Sequence, residues 1–385
     1  MTGRSRTSRR TVLTALIAGA ASVPLLGAAP ASSAPAAVLE LPSPTGPRPV
    51  GRRTLHLVDR HRADPWVPSA RGRELMVSVF YPARPSGGTP APYMTVSEAQ
   101  RLLEAKGLAG VVPAATVAGT RTHARLSAPP APGRFPLVLL SPGFSMPRTT
   151  LTALAEELAG RGYVVAAVDH AYESVGTEFP GGRVPPCVAC ERVGADVEEA
   201  VVVEGRAADL SFVIDELTGH RRAGALAHVI DPHRIGVAGH SIGGAAAMAT
   251  MAADRRVRAG VNLDGGFFVR DAGSGLGRRP FMMVGTEDVH GPGTASDWPA
   301  TWDRLHGWKR WLTVAGAGHF SFTDIPWLAE QLGLADPAVP LSGERGWYIT
   351  RDFVRAFFDL HLRGVPQPLL QGPTPAHPEV GFLRP

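Results

Sequence analysis

Arg234-Ile-Gly-Val-Ala-Gly-His-Ser-Ile-Gly-Gly244 decides the fold. An apolar run of strand character leads into a serine flanked two residues away on each side by glycine, and a helix-forming run of small residues, 245–251, follows. The bare G-x-S-x-G pattern is weak, but strand, sharp turn and helix in that order are the setting of a nucleophile elbow. Such a turn leaves no room for side chains at the flanking positions, and Gly239 and Gly243 supply that room. Ser241 would then project its hydroxyl at a helix N-terminus, where developing negative charge is favoured. Ser274 also lies between glycines, but no strand precedes it, and it reads as a loop residue.

Outward from this segment the pattern is regular. Strands are expected over 54–58, 75–81, 136–140, 163–168, 235–238, 260–263, 281–284 and 311–314. Helices are expected over 97–105, 150–158, 195–217, 245–251 and 348–362. Strands alternating with helices imply an α/β fold, a mostly parallel sheet covered on both faces, with functional loops at the carboxyl ends of its strands.

A serine needs a base to remove its proton, and in this kind of fold the acid and the histidine follow the serine. His319, on the Gly-rich loop after strand 311–314, occupies the histidine's place. His240 adjoins the serine but leaves the tight turn in the wrong direction. His170 ends an earlier strand and precedes Ser241, so it reads as a pocket-lining or loop-bracing residue. Two acids qualify: Asp264 after strand 260–263 and Asp288 after strand 281–284. Spacing does not separate them. The oxyanion would be held by the N–H of Ile242, which follows the serine, and by that of Phe144 in the loop Ser141-Pro-Gly-Phe144.

These residues resemble a known family. Val168-Asp-His170, Gly239-His-Ser-Ile-Gly-Gly244, Asn262-Leu-Asp-Gly265 and Gly318-His-Phe-Ser-Phe-Thr-Asp324 are similar to the serine-dependent platelet-activating factor acetylhydrolases, the plasma and type II forms with their bacterial secreted relatives. Val77-Ser-Val-Phe-Tyr-Pro82 and the Ser141-Pro-Gly-Phe144 loop extend the resemblance to roughly 54–364. It implies an α/β-hydrolase fold, no metal or cofactor, and a catalytic acid in the Leu263-Asp264 motif. Cutinase-like lipases and polyester hydrolases share the fold but use the later acid, so Asp288 stays open. The family's His-Gly pair at the oxyanion loop is Pro142-Gly143 here. A main-chain donor survives that change, whereas the side chain that would shape the loop does not.

The resemblance implies hydrolysis of carboxylic esters through an acyl-enzyme, on phospholipids or glycerides with short or oxidised acyl chains. The expected partners are a small lipid or ester substrate and, transiently, a lipid surface. A cutinase-like lipase or polyester hydrolase, a cofactor-free haloperoxidase and a non-catalytic secreted homologue are the alternatives.

Composition agrees with a globular chain: of 385 residues, 44% are hydrophobic and 19% charged. The formal charge of +5 raises nucleic acid as a partner, but its location argues otherwise. Arg4, Arg6, Arg9 and Arg10 precede an uncharged apolar stretch, and Ala34-Pro35-Ala36 offers a small-x-small cleavage site. Ser8-Arg9-Arg10-Thr11-Val12-Leu13 resembles a twin-arginine export signal. Cleavage after Ala36 leaves 35 basic and 34 acidic residues. The expected organisation is a signal peptide over 1–36, a poorly ordered Pro-rich leader over 37–53, and one α/β-hydrolase domain over 54–385 with an insertion around 173–193. No later segment has the ~20 apolar residues of a membrane span. In an exported protein Cys187 and Cys190 are expected to form a short disulfide, since the Pro-rich loop suits neither a redox helix nor a zinc site.

Overall fold

The apolar runs become the middle of one eleven-stranded sheet in the computed structural model, which describes residues 38–383 except 86, 220–223 and 270. The expected signal peptide, 1–36, lies outside the described residues.

In chain order the strands are β1 (Val50–Asp59), β2 (Arg73–Pro82), β3 (Thr89–Pro90), β4 (Arg125–Leu126), β5 (Phe135–Ser141) and β6 (Val164–His170). They continue as β7 (Ile230–His240), β8 (Val257–Leu263), β9 (Phe281–Thr286), β10 (Lys309–Val314) and β11 (Val380–Leu383). Their spatial order is β11-β10-β9-β8-β7-β5-β6-β2-β1-β4-β3. From β6 to β10 every neighbouring pair is parallel, while β2, β1 and β11 run antiparallel to the neighbours they extend.

Both faces of the central strands are covered, which is why they read as unbroken apolar runs. Along β5, Val138 and Leu140 join a core with helices Thr152–Gly160 and Gly343–Arg363. Leu137 and Leu139 join the opposite core with helices Glu199–Thr218 and Ile242–Ala253. Each fully buried Leu or Phe contributes about 1.5–3 kcal/mol relative to exposure, so these layers hold the sheet's carboxyl ends in place.

Three expectations need correction. The leader expected over 37–53 is ordered from 38 onward: Leu39 and Leu41 are buried in the core, the Leu41 N–H donates to the Arg121 carbonyl at 3.0 Å, and β1 already begins at Val50. Two leucines spaced to face one way can dock an extended Pro-rich segment without its forming a helix or strand. The helix expected from 195 begins at Glu199, because the Gly194 N–H donates to the Val197 carbonyl and turns the chain first. Finally, the short strands β3, β4 and β11 were not foreseen; at two to four residues they carry no readable alternation. In the 173–193 stretch Cys187 and Cys190 are disulfide-bonded, with Cα atoms 5.3 Å apart, beside a short helix Val188–Arg192.

Candidate active site

Strand β7 runs straight into Ser241, whose backbone sits at φ 55°, ψ −129°. An L-residue adopts such angles only when its surroundings impose them, at a cost of about 1–3 kcal/mol. Here the Ser241 N–H donates to the Leu263 carbonyl at 2.7 Å, and the Ser241 carbonyl accepts the Gly244 N–H at 2.8 Å. The turn is close-packed. A Cβ on Gly239 would lie 2.1 Å from the Gly243 carbonyl oxygen, and one on Gly243 would lie 2.1 Å from the Ser141 carbonyl oxygen. Any side chain at either position would force the turn open.

Asp264 follows β8 at φ 58° and is buried. Its Oδ1 accepts the Thr286 N–H at 2.6 Å, and its Oδ2 stands 2.6 Å from His319 Nδ1. Burial alone would raise this carboxyl. The hydrogen bond and charge of His319, then His290 and the Thr286 N–H, outweigh it and hold Asp264 below the ordinary aspartate value. An ionised carboxylate only accepts, so His319 carries its proton on Nδ1 and presents Nε2 as a base. His319 opens the 3-10 turn His319–Phe322 after β10, with 29% of its side chain exposed. Asp288 lies in the short helix Glu287–His290 and points into solvent. The geometry therefore pairs His319 with Asp264.

His240 does turn away from the serine. It is buried, its Nε2 donates to the His319 carbonyl at 2.7 Å, and the two rings lie 4.6 Å apart. Burial, and next the neighbouring His319, push its pKa down to about 3, so it is a neutral prop under the His319 loop. On the other flank a Cβ on Gly143 would lie 2.8 Å from His240 Nδ1 and 3.5 Å from Ser241 Cβ, so the loop 141–145 runs directly against the serine. Phe144 and Ile242, whose N–H groups were singled out above, join one apolar cluster with Tyr172, Cys187, Val188 and Ala245. The disulfide-bearing segment thus forms part of a wall beside Ser241.

At this end of the sheet His290 and a group of buried charges were not foreseen, whereas His170 reads from the sequence as a pocket-lining or loop-bracing residue. His290 reaches within 3.6 Å of Asp264 Oδ1 and stacks on Trp298 at 3.9 Å. His170 is buried, with Nδ1 2.7 Å from Asp209 Oδ2 and Nε2 3.1 Å from Ser141 Oγ. Around it Arg73, Arg206, Glu173 and Asp209 are all buried. Arg206 and Asp209 stand three apart on an otherwise apolar helix face, the one sequence signal that could have pointed to them. Among the described residues, no three His, Cys, Asp or Glu side chains form a group able to hold a metal, and no helix is long and apolar enough to cross a membrane.

The model of the family described as platelet-activating factor acetylhydrolase, isoform II matches residues 41–179 and 213–335. A probable 1-alkyl-2-acetylglycerophosphocholine esterase from Arthroderma benhamiae is 28% identical, covering 96% of this chain and 100% of that one. The platelet-activating factor acetylhydrolase of Cavia porcellus is 26% identical over 41% of this chain, which spans 37% of that protein. Among solved structures, a ferulic acid esterase from Streptomyces cinnamoneus superposes with a TM-score of 0.79 at 46% identity, covering 90% of this chain and 99% of that one. The family match spans more than half of the chain, and an esterase shares nearly its whole architecture. The chain therefore belongs to the platelet-activating factor acetylhydrolase isoform II family, carboxylic-ester hydrolases built on the α/β-hydrolase fold.

Proposed function

We propose that the protein is an exported serine esterase in which Ser241 is the nucleophile, His319 the general base and acid, and Asp264 the group that orients His319. The observation that carries this reading is the 2.6 Å contact between Asp264 Oδ2 and His319 Nδ1, on loops that flank the strained serine turn. Ser241 Oγ attacks the ester carbonyl as His319 Nε2 takes its proton. The same imidazolium then protonates the departing alcohol, and water repeats the sequence to release the acid. The N–H groups of Phe144 and Ile242 would receive the oxyanion, and one such donor is worth roughly 3–4 kcal/mol.

Family membership supports short-acyl phospholipid or glyceride esters as substrates. The likeness to a ferulic acid esterase supports a second reading, aromatic acyl esters, and the aromatic wall of Phe144 and Tyr172 suits a flat acyl group. The signal-like N-terminus and the Cys187–Cys190 disulfide, a bond at home in oxidising compartments, support export.

Ser241→Ala is expected to lower ester turnover by at least about 10⁴-fold and to abolish labelling by a fluorophosphonate, with unfolding behaviour retained. Turnover that persists in this variant would reject the mechanism. Side-by-side kcat/KM values on p-nitrophenyl acetate, methyl ferulate and a phospholipid with an sn-2 acetyl group then assign the acyl class.

A further inference from the structure

The buried ionic cluster behind the loop 141–145 takes no part in the proton transfers above, yet it grips that loop at three points. Arg206 Nη1 donates to the Pro142 carbonyl at 2.5 Å and to Ser141 Oγ at 3.3 Å. The Glu173 carbonyl accepts the Ser145 N–H at 3.1 Å. Pro142 has no N–H, so its carbonyl is the one main-chain polar group by which that residue can be held. Phe144 lies between the two anchored ends.

The anchors are themselves fixed. Arg206 Nε donates to Glu173 Oε2 at 2.7 Å, and Glu173 Oε1 accepts from Arg73 Nη2 at 2.6 Å and from Trp66 Nε1 at 2.8 Å. Arg73 also pairs with Asp209 at 2.8 Å, and Asp209 accepts from His170 Nδ1 at 2.7 Å. The proton directions close without conflict. Ionised Asp209 fixes the His170 proton on Nδ1, so Nε2 accepts the Ser141 hydroxyl proton and leaves Ser141 Oγ free to accept from Arg206. Replacing buried ion pairs by apolar residues is often neutral or stabilising, so net stability is a weak reason for such a cluster. A defined geometry is what it supplies.

We propose that Arg206 is a positioning residue for ester hydrolysis: by holding the Pro142 carbonyl and Ser141 it fixes the peptide ahead of Gly143 and aims the Phe144 N–H at the oxyanion. This rests on the serine-esterase reading. Arg206 and Asp209 both fall in the stretch 180–212 that the family model leaves unmatched.

Arg206→Gln removes the fork while keeping a polar side chain. The expected result on p-nitrophenyl acetate is a fall in kcat of about 30–300-fold with KM within threefold, because the donor acts on the transition state more than on bound substrate. The rate of fluorophosphonate inactivation should fall in parallel, and Arg206→Lys should recover part of both. A folded Arg206→Gln enzyme with kcat within threefold of the parent overturns the proposal, as does a loss accounted for by the unfolded fraction. Should Arg206→Gln fail to fold, Ser141→Ala removes the oxygen that links Arg206 to His170 with little change in volume. A kcat lowered about 3–10-fold at unchanged KM is then expected, and an unchanged kcat overturns the proposal. Turnover surviving in Ser241→Ala would instead defeat the serine-esterase reading, so the two failures are distinguishable.

Discussion

Two sets of serine, histidine and aspartate stand near the carboxyl ends of neighbouring strands. Ser241, His319 and Asp264 follow β7, β10 and β8; Ser141 and His170 end β5 and β6, and Asp209 reaches them from helix Glu199–Thr218. By residue type they are indistinguishable, and each histidine meets its aspartate within 2.7 Å. Their surroundings differ in two ways. Ser241 sits half-buried on a strained turn, whereas Ser141 is fully buried in an extended strand paired with Gly239. Ser141 Oγ also accepts from Arg206, which ties up the lone pair a nucleophile would use. A Ser-His-Asp constellation is thus a hydrogen-bond pattern with two uses: open at an elbow it suits acyl transfer, and sealed against an arginine it suits the fixing of a loop.

The aspartates break this comparison most directly. Asp264→Asn should lower kcat/KM by about 10³–10⁴-fold, because an amide cannot hold His319 in the required tautomer, and should shift the unfolding midpoint little. Asp209→Asn should act first on stability, with a smaller rate loss carried through His170 and Arg206. It removes one of the three carboxylates that pair with Arg73 in a dry site, so urea unfolding should show a loss of about 3–5 kcal/mol. Asp288→Asn, exposed, serves as the control and should stay within twofold of the parent in both assays. Equal rate losses for Asp264→Asn and Asp288→Asn would remove the first half of the contrast. A stable Asp209→Asn protein would remove the second.

How much of this was legible beforehand follows the range of the interactions. The elbow reads from eleven consecutive residues, because its glycines, strand and helix are local in sequence. The choice between Asp264 and Asp288 was not local. It depends on the Thr286 N–H, 22 residues from Asp264, and on a carboxylate held at positive φ, and only the family resemblance favoured the aspartate that meets His319. The ionic cluster was hidden for the same reason, since Arg73 and Asp209 are 136 residues apart and each alone looks like an ordinary surface charge. The docked leader was missed because Pro-rich composition outweighed the two leucines that carry the burial.

The wall beside the open serine offers a smaller effect. Cys187 packs in the same apolar cluster as Phe144 and Ile242, and the buried serine has no comparable clip. Joining two residues three apart closes a very short loop, which in the chain-entropy view stabilises by about 2 kcal/mol. Cys187→Ser with Cys190→Ser should therefore lower the unfolding free energy by about that amount. It should also lower kcat/KM more for a bulky acyl ester than for acetate. A uniform loss across acyl groups would show that the clip acts on global stability and leaves the wall in place.

The smallest expected effect separates the props of the two sets. His240 and His170 are both buried and both held below the ordinary histidine value, by burial first; His319 itself is partly open. For His240 the folded value is about 3 against 6.5 when unfolded, with His319 and Lys106 lowering it and Asp264 opposing them. Between those two values the unfolded chain binds a proton that the folded chain refuses, so stability falls as the pH drops from 6.5, by about 1.4 kcal/mol per unit. His240→Gln keeps a donor for the His319 carbonyl and removes the titration. Between pH 7.5 and 5.5 this variant should lose about 1.4 kcal/mol less than the parent in urea unfolding, while the slope contributed by His170 remains in both proteins. Identical slopes would mean that His240 takes up its proton in the folded state, and the prop beneath the His319 loop would then carry charge at mildly acidic pH.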